Sequence, residues 1–374
     1  MRLHPERPHP TAAAALLAVL LLLPAGVLAF HDQGVASCAG CHVMHDDGLS
    51  TADALLRGLS ASDVCLSCHG AGAQPVFGGT PLLPPPELGA GNFVFLLEDE
   101  LNDDPRPSAP SVGGHHAGHS IVAPGAGLVP DPDRPTAPGG TFPSAELGCT
   151  SCHDPHGNAS FRMLNGAGPV QGGLYEFLFP APEAEGVPLA LAAAGESPTT
   201  HSAYRSGMSD WCANCHGYYH DVVGAARFEH PYEADLSGDW AQRYDEYLGE
   251  ADPDGGSAAT AYLPQVPFEA PGAAVDATAG PGPDARVACL TCHRAHATSA
   301  PAALRWDARV GTLGQDGLAS GSYPLPNPYG DPDQRQLCLK CHEADHALAS
   351  PLSCVTCHAA SRSGGGPELE GFGF

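Results

Sequence analysis

Residues 30–45 read FHDQGVASCAGCHVMH, one C-x-x-C-H unit with a histidine on each side, His31 and His45. The unit returns six more times, as CLSCH, CTSCH, CANCH, CLTCH, CLKCH and CVTCH, and these seven units use all 14 cysteines of the chain. This spacing is the attachment signature of c-type haem. Two cysteines one helical turn apart form thioethers to the two vinyl groups, and the histidine that follows lies under the iron as proximal ligand. The predicted thioether residues are Cys38, Cys41, Cys65, Cys68, Cys149, Cys152, Cys212, Cys215, Cys289, Cys292, Cys338, Cys341, Cys354 and Cys357. The predicted proximal ligands are His42, His69, His153, His216, His293, His342 and His358. A disulfide scaffold suits an even cysteine count in an exported chain, but every pair here is local and none remains to join distant segments. A zinc site needs no histidine after each pair. Here histidine fills that place in all seven units, while occupying only 20 of 374 positions overall.

The chain opens MRLHPERPHP, followed by an apolar run from Thr11 to Leu23 and then PAGVLA, in which Val27 and Ala29 fit an A-x-A-like cleavage site. This predicts a leader over residues 1–29 and an exported mature chain that begins at Phe30. A membrane anchor is the alternative, but the apolar run is short for a span and no later segment has the length to cross a bilayer. Removing Arg2, Arg7 and Glu6 from 16 basic and 42 acidic residues leaves 14 and 41, a net charge of −27. Such a surface repels nucleic acid and anionic membranes, and it keeps an exported protein in solution.

Seven haems shared among 345 mature residues leave about 49 residues each, too few for every haem to own a conventional core. The macrocycles must then serve as the core. The expected fold is mostly irregular coil with short α-helices and minimal β, elongated and wrapped around a continuous chain of haems. The intervals agree: residues 68–149 are dense in Pro, Gly and Asp, which break helices and ladders alike. Residues 181–200 and 251–286 are similar, with one short helix expected near Asp239–Leu248. The Asp-rich pieces DPDR, DPDGG and DPDQ lack a full EF-hand pattern and read as solvated turns rather than calcium sites.

A six-coordinate haem needs a second axial ligand. Eleven mature histidines remain after the proximal set: His31, His45, His115, His116, His119, His156, His201, His220, His230, His296 and His346. Of these, His115, His116 and His201 read as surface or turn residues. Methionine is scarce, with Met44, Met163 and Met208 alone in the mature chain, so His/Met sites do not dominate. His45, His156 and His296 stand three residues after a proximal histidine, and His220 and His346 stand four after one. Three residues span at most about 10 Å. That tether cannot round the macrocycle edge and return to the same iron, so such a histidine serves a different haem. One short segment that ligates two irons forces their macrocycles together.

Several blocks are more specific than C-x-x-C-H alone: FHDQGVASCAGCHVMH, GHSIVA, APGGTFPSAELGCTSCHDPHG, GMSDWCANCH, AYLPQVPFE, CLTCHRAHA and RQLCLKCHEAD. In this order they resemble the outer-surface hexahaem cytochromes that polymerise into extracellular nanowires in metal-reducing bacteria. The resemblance implies bis-histidine haems in contact, with His31, His119, His156, His220, His230 and His296 as candidate distal ligands within the chain. It also implies that His45 crosses the subunit boundary to the iron held by Cys289, Cys292 and His293 of the next copy. The family pattern covers residues 30–345 as a six-haem body. Residues 346–374 extend it with the seventh motif and a Gly-rich tail, with His346 a candidate distal ligand there.

The cofactor expected is therefore haem c with its iron, seven per chain, and the function is electron transfer rather than catalysis. The partners expected are further copies of the chain and other redox proteins or extracellular electron acceptors, with no nucleic acid and no membrane span. Location is extracellular or at the cell surface. A soluble periplasmic shuttle of the same chemistry would satisfy His45 internally. A multihaem reductase needs an open iron position, and every motif here ends in histidine with spare histidines to hand.

Overall fold

The computed structural model describes residues 38–43, 55–70, 76–78, 89–98, 101, 112–187, 199–221, 234–246, 266–306 and 337–341. The leader, His31, His45, Met44, His230, His342, His346 and the seventh motif at Cys354, Cys357 and His358 lie outside these residues, as does the side chain of His220.

The helices are short: α1 Cys38–Cys41, α2 Ala61–His69, α3 Cys149–Cys152, α4 Met208–Asp221, α5 Ser237–Glu246, α6 Cys289–Cys292 and α7 Cys338–Cys341. Among the described residues every helix except α5 carries a C-x-x-C pair. Among the described residues sheet is confined to two antiparallel two-stranded pieces, β1 Gly168–Val170 with β2 Tyr175–Phe177, and β3 Glu183–Glu185 with β4 Ala203–Ser206. The other described residues are coil and 3₁₀ turns, the irregular fold expected of a chain this rich in Pro and Gly.

Local chemistry explains where the longer helices begin and end. At α2, the Ser60 side chain accepts the N–H of Asp63 at 3.1 Å, and Asp63 places a negative charge in the first turn. Gly70 closes that helix, its N–H bonding the Leu66 carbonyl at 2.8 Å. The helix expected near Asp239–Leu248 is α5, two residues earlier, with Asp239 in its first turn and Arg243 in its last. Among the described residues between 68 and 149 the 3₁₀ turns are Phe93–Leu97, Gly114–His116, Pro124–Ala126 and Ser144–Glu146.

Among the described residues apolar packing falls into three clusters. One gathers Leu66, Phe93, Val94, Phe95, Leu101, Val112, Ile121 and Leu128, with Cys149 packed against it. A second holds Leu164, Met208 and Leu290 beside Cys152 and Cys212. The third holds Tyr244, Val266 and Trp306 beside Cys341. Each cluster is thus edged by a motif cysteine, so the places where apolar side chains meet are the places where the motifs stand. Full burial of Phe95 is worth about 1.5–3 kcal/mol.

One segment crosses the middle. Residues 294–298 run between residues 90–92 and 117–119: His296 N–H bonds Ala90 O at 2.7 Å and Asn92 N–H bonds Ala297 O at 2.8 Å on one side. On the other, His119 N–H bonds His296 O at 2.9 Å and Thr298 N–H bonds Ala117 O at 3.0 Å. The crossing is tight enough that a Cβ on Gly118 would run into the His296 carbonyl and one on Gly91, which also has φ +90°, into the Ala297 carbonyl. Gly118→Ala is therefore expected to destabilise the haem-loaded protein by about 1–3 kcal/mol, through forced separation of the two segments. Denaturant unfolding of wild type and variant measures this, and an unchanged midpoint would mean the crossing widens without cost.

Candidate haem centres

The C-x-x-C-H-x-x-H motifs, the first, third and fifth, share one local build. After the helix the chain turns back and a leucine bridges the motif histidine: His42 with Leu56, His153 with Leu164 and His293 with Leu304. The hydrogen bonds repeat from copy to copy. Val43 bonds Leu55 O and Arg57 bonds Cys41 O; Asp154 bonds Met163 O and Asn165 bonds Cys152 O; Arg294 bonds Ala303 O and Arg305 bonds Cys292 O. In each copy the return passes through left-handed backbone at residues that are not glycine: Leu55, then Arg162 and Met163, then Ala302 and Ala303. Such a conformation costs roughly 1–2 kcal/mol per residue, and the turn uses it to aim a carbonyl at the motif histidine. Arg162 O meets His153 Nδ1 at 2.9 Å and Ala302 O meets His293 Nδ1 at 3.0 Å.

The second and fourth motifs sit on the longer α2 and α4, each preceded by Ser-Asp-x. Ser62 Oγ accepts the N–H of Cys149 at 3.2 Å, and Ser209 Oγ accepts the N–H of Cys289 at 3.1 Å. Both serines are buried. Ser151 and Thr291 complete the parallel, their hydroxyl oxygens accepting the N–H of Gly148 and Ala288, each at 2.9 Å. The second motif is thereby locked to the third, and the fourth to the fifth, by the same bond. Glu269 adds a buried carboxylate at the start of α4, where it accepts the N–H of Met208 at 2.6 Å.

Ring orientation bears directly on iron binding. A metal-ligating histidine donates its other ring N–H to a carbonyl or carboxylate, which fixes the tautomer. Besides His153 and His293, His216 Nδ1 meets Pro138 O at 2.7 Å, His119 Nδ1 meets Ala295 O at 2.6 Å and His296 Nδ1 meets Gly91 O at 3.3 Å. A ring held at Nδ1 can offer Nε2 to a metal. His201 differs, for its Nδ1 faces Ser202 O at 3.1 Å and its Nε2 faces Ala277 O at 2.7 Å, so both nitrogens are spent on the backbone. Burial holds the ligand-type rings in the neutral form that binds metal: it lowers the pKa of His119 and His153, brings His216 down to about 4 and brings His296 down to about 3.

Three ring pairs stand out. His42 and His156 stack with centroids 6.4 Å apart and planes 6° from parallel. His153 and His296 lie 6.4 Å apart at 70°, and His119 and His216 lie 5.9 Å apart at 41°. Two imidazoles on opposite sides of one metal, at bonds of about 2 Å each, have centroids roughly 6 Å apart, and adjacent ones lie closer. In every pair one member is a motif histidine and the other comes from elsewhere in the chain. The donor set and its spacing fit haem iron with two axial imidazoles. Met208, by contrast, is buried among apolar side chains.

The thiols give the order of the motifs. Cys65 hydrogen-bonds Cys149 and lies within electrostatic reach of Cys41; Cys152 lies within reach of Cys215, Cys212 hydrogen-bonds Cys289 and Cys341 lies within reach of Cys292. The first six motifs therefore lie side by side in sequence order. Burial pushes the thiols of Cys152, Cys215 and Cys341 up to about 12, whereas hydrogen bonds from Cys65 and Cys212 lower those of Cys149 and Cys289, the latter to about 7.

A sequence model described as a doubled CXXCH motif matches residues 142–171. The c-type cytochrome OmcS of Geobacter sulfurreducens is 31% identical over 89% of this chain and 98% of its own length. The chain belongs to the OmcS family of c-type cytochromes. Two solved OmcS assemblies share the fold. The outer membrane cytochrome S filament matches with a TM-score of 0.65 at 28% identity, covering 83% of this chain and 98% of that one. The OmcS nanowire seen by cryo-electron microscopy matches with 0.66 at 27%, covering 84% and 99%. As an OmcS-type cytochrome, the chain is a haem c protein, and among the described residues no helix is long and apolar enough to cross a membrane.

Sequence reasoning passed over Ser62 and Ser209, although the repeated S-D-x-C-x-x-C-H was there to see. It also passed over the left-handed returns at Arg162 and Ala302, which carry no residue signal. The neutral rings have a consequence for acid stability. Their folded pKa values are depressed, so the stability they contribute is whole above the unfolded value near 6.5 and drains as pH falls toward the folded values. Between pH 7 and 5, above the carboxylate range, the denaturant midpoint is expected to drop as the pH falls, each ring taking at most about 1.4 kcal/mol of unfolding free energy per pH unit below 6.5. A midpoint flat across that window at constant ionic strength would contradict the neutral-ring account.

Proposed function

We propose that this OmcS-type cytochrome transfers electrons through seven c-type haems and polymerises into an extracellular conduit. The observation that carries the reading is the side-by-side order of the first six motifs, joined by histidine pairs spaced for shared metals. In this reading residues 1–29 are a leader, residues 30–345 the six-haem body and residues 346–374 an extension that carries the seventh haem at Cys354, Cys357 and His358.

The ring pairs support three distal ligands. His156 completes the site of His42, His296 completes that of His153, and His119 completes that of His216. His31, His45, His220, His230 and His346 supply the remaining candidates, with His45 reaching the site of Cys289, Cys292 and His293 in the next copy. Bound haem supplies a reversible one-electron couple. The chain supplies the rest: carbonyls hold each Nδ1–H, burial excludes water from the rings, and paired imidazoles leave no open position for a substrate. His153 and His156 serve two sites from one turn, as do His293 and His296, which ties neighbouring sites at a separation that the covalent chain sets. Forty-one mature carboxylates favour the ferric state and lower the potentials.

The decisive experiment is cryo-electron microscopy of the secreted, haem-loaded protein, with its intact mass. Filaments with an unbroken haem chain, density from His45 into the next subunit and a mass of residues 30–374 plus seven haems are expected. Discrete monomers with all haems internally ligated would replace the conduit by a shuttle, and a mass with six haems would remove the seventh site. In the ferric protein, His296→Ala is expected to convert one haem to a high-spin signal, and a wholly low-spin spectrum would overturn that ligand assignment.

A further inference from the structure

We propose that His115, His116 and Asp133 form a binding site for a divalent transition-metal ion of the zinc or copper class, separate from the haem irons. The three side chains each present a ligand atom, all within 4.8 Å of one another. His115 Nε2 stands 2.7 Å from Asp133 Oδ2 and His116 Nε2 stands 3.6 Å from the same oxygen. The two rings lie 4.2 Å apart at 42°. Two imidazoles and one carboxylate are a donor set for zinc, nickel or copper, and they offer too few oxygens for calcium.

Two fixed turns hold the set. His115 and His116 sit on the 3₁₀ turn Gly114–His116, closed by the N–H of Ala117 to Gly114 O at 2.8 Å. That turn is pressed against residues 96–98: Gly114 N–H bonds Glu98 O at 2.9 Å, and a Cβ at Gly114 would strike the Leu96 carbonyl. Asp133 comes from DPDR, where Asp131 Oδ1 accepts the N–H of Asp133 at 2.8 Å and of Arg134 at 3.0 Å, while Ser144 Oγ bonds Arg134 O at 2.5 Å. The Asp-rich turn that lacks a calcium pattern thus delivers a carboxylate to a pair of histidines. Arg134 lies on the Nδ1 side of His116, 3.5 Å away, and approaches Asp131 Oδ2 at 3.5 Å, so its charge is drawn away from the Nε2 atoms that face Asp133. Side-chain exposures of 30% and 20% for the histidines and 59% for Asp133 leave one side open for water to complete the coordination. The net charge of the chain draws cations toward it.

The test uses the haem-loaded protein, stripped with a chelator and dialysed against Zn²⁺, with bound zinc read by atomic spectrometry. Wild type is expected to hold one more zinc per chain than His115→Ala/His116→Ala, and a hundredfold excess of Ca²⁺ or Mg²⁺ is expected not to displace it. Asp133→Asn, which keeps both rings, is expected to weaken binding about 10–100-fold, in line with loss of one partner at a metal site, and it stands in where the double variant fails to accumulate. Equal zinc content and affinity in wild type and variants would overturn the proposal. So would a high-spin ferric haem in the double variant, which would make one of these rings an iron ligand.

Discussion

A carbonyl that accepts from histidine Nδ1 is the interaction on which the rest of this structure depends. His119, His153, His216, His293 and His296 are all held this way. The bond chooses the tautomer, turns Nε2 outward and keeps the ring from wandering. Two of the carbonyls sit on the motif's own return loop, where left-handed backbone at Arg162 and Ala302 makes the turn sharp enough. The other three, at Gly91, Pro138 and Ala295, come from distant parts of the chain. Tertiary structure is thus assembled around ring orientation, and the small apolar clusters serve to hold the segments that carry these carbonyls.

The chain uses one two-motif unit more than once. Residues 288–305 repeat residues 148–165 at a constant offset, down to the bridged leucine, the capping hydroxyl and the left-handed pair. Ser62 and Ser209 repeat the lock between an even motif and the odd motif that follows it. The physical logic is that a repeat of this kind needs no large core. Each unit binds its neighbour through a backbone N–H and a buried hydroxyl, and a lost partner would leave that N–H unsatisfied at a cost of about 1–3 kcal/mol. Stacking such units sets the motifs side by side in chain order, the arrangement an electron path requires.

Two kinds of histidine emerge from the same composition. Rings held by a carbonyl at Nδ1 can offer Nε2 to a metal, whereas His201 gives both nitrogens to carbonyls. His115 and His116 belong to neither kind, because they turn toward Asp133. Residue type alone does not separate these cases. The partners of the two ring nitrogens do.

By itself the sequence determined the covalent chemistry, since C-x-x-C-H is a local pattern whose spacing needs no fold to be read. It determined the scarcity of regular structure through Pro and Gly density, and it determined that a histidine three residues after a proximal ligand must look to another site, because chain reach is a property of the backbone. The helix α5 was legible from its own residues, displaced by two positions. Which ring faces which was decided only by the tertiary structure: His42 with His156 and His119 with His216 join segments far apart in the chain. The pairings of His119 with His216 and of His296 with His153 depend on where residues 294–298 cross between residues 90–92 and 117–119. That crossing is set by backbone hydrogen bonds and by the absence of a Cβ at Gly91 and Gly118, and every one of these is a long-range contact that no local pattern encodes.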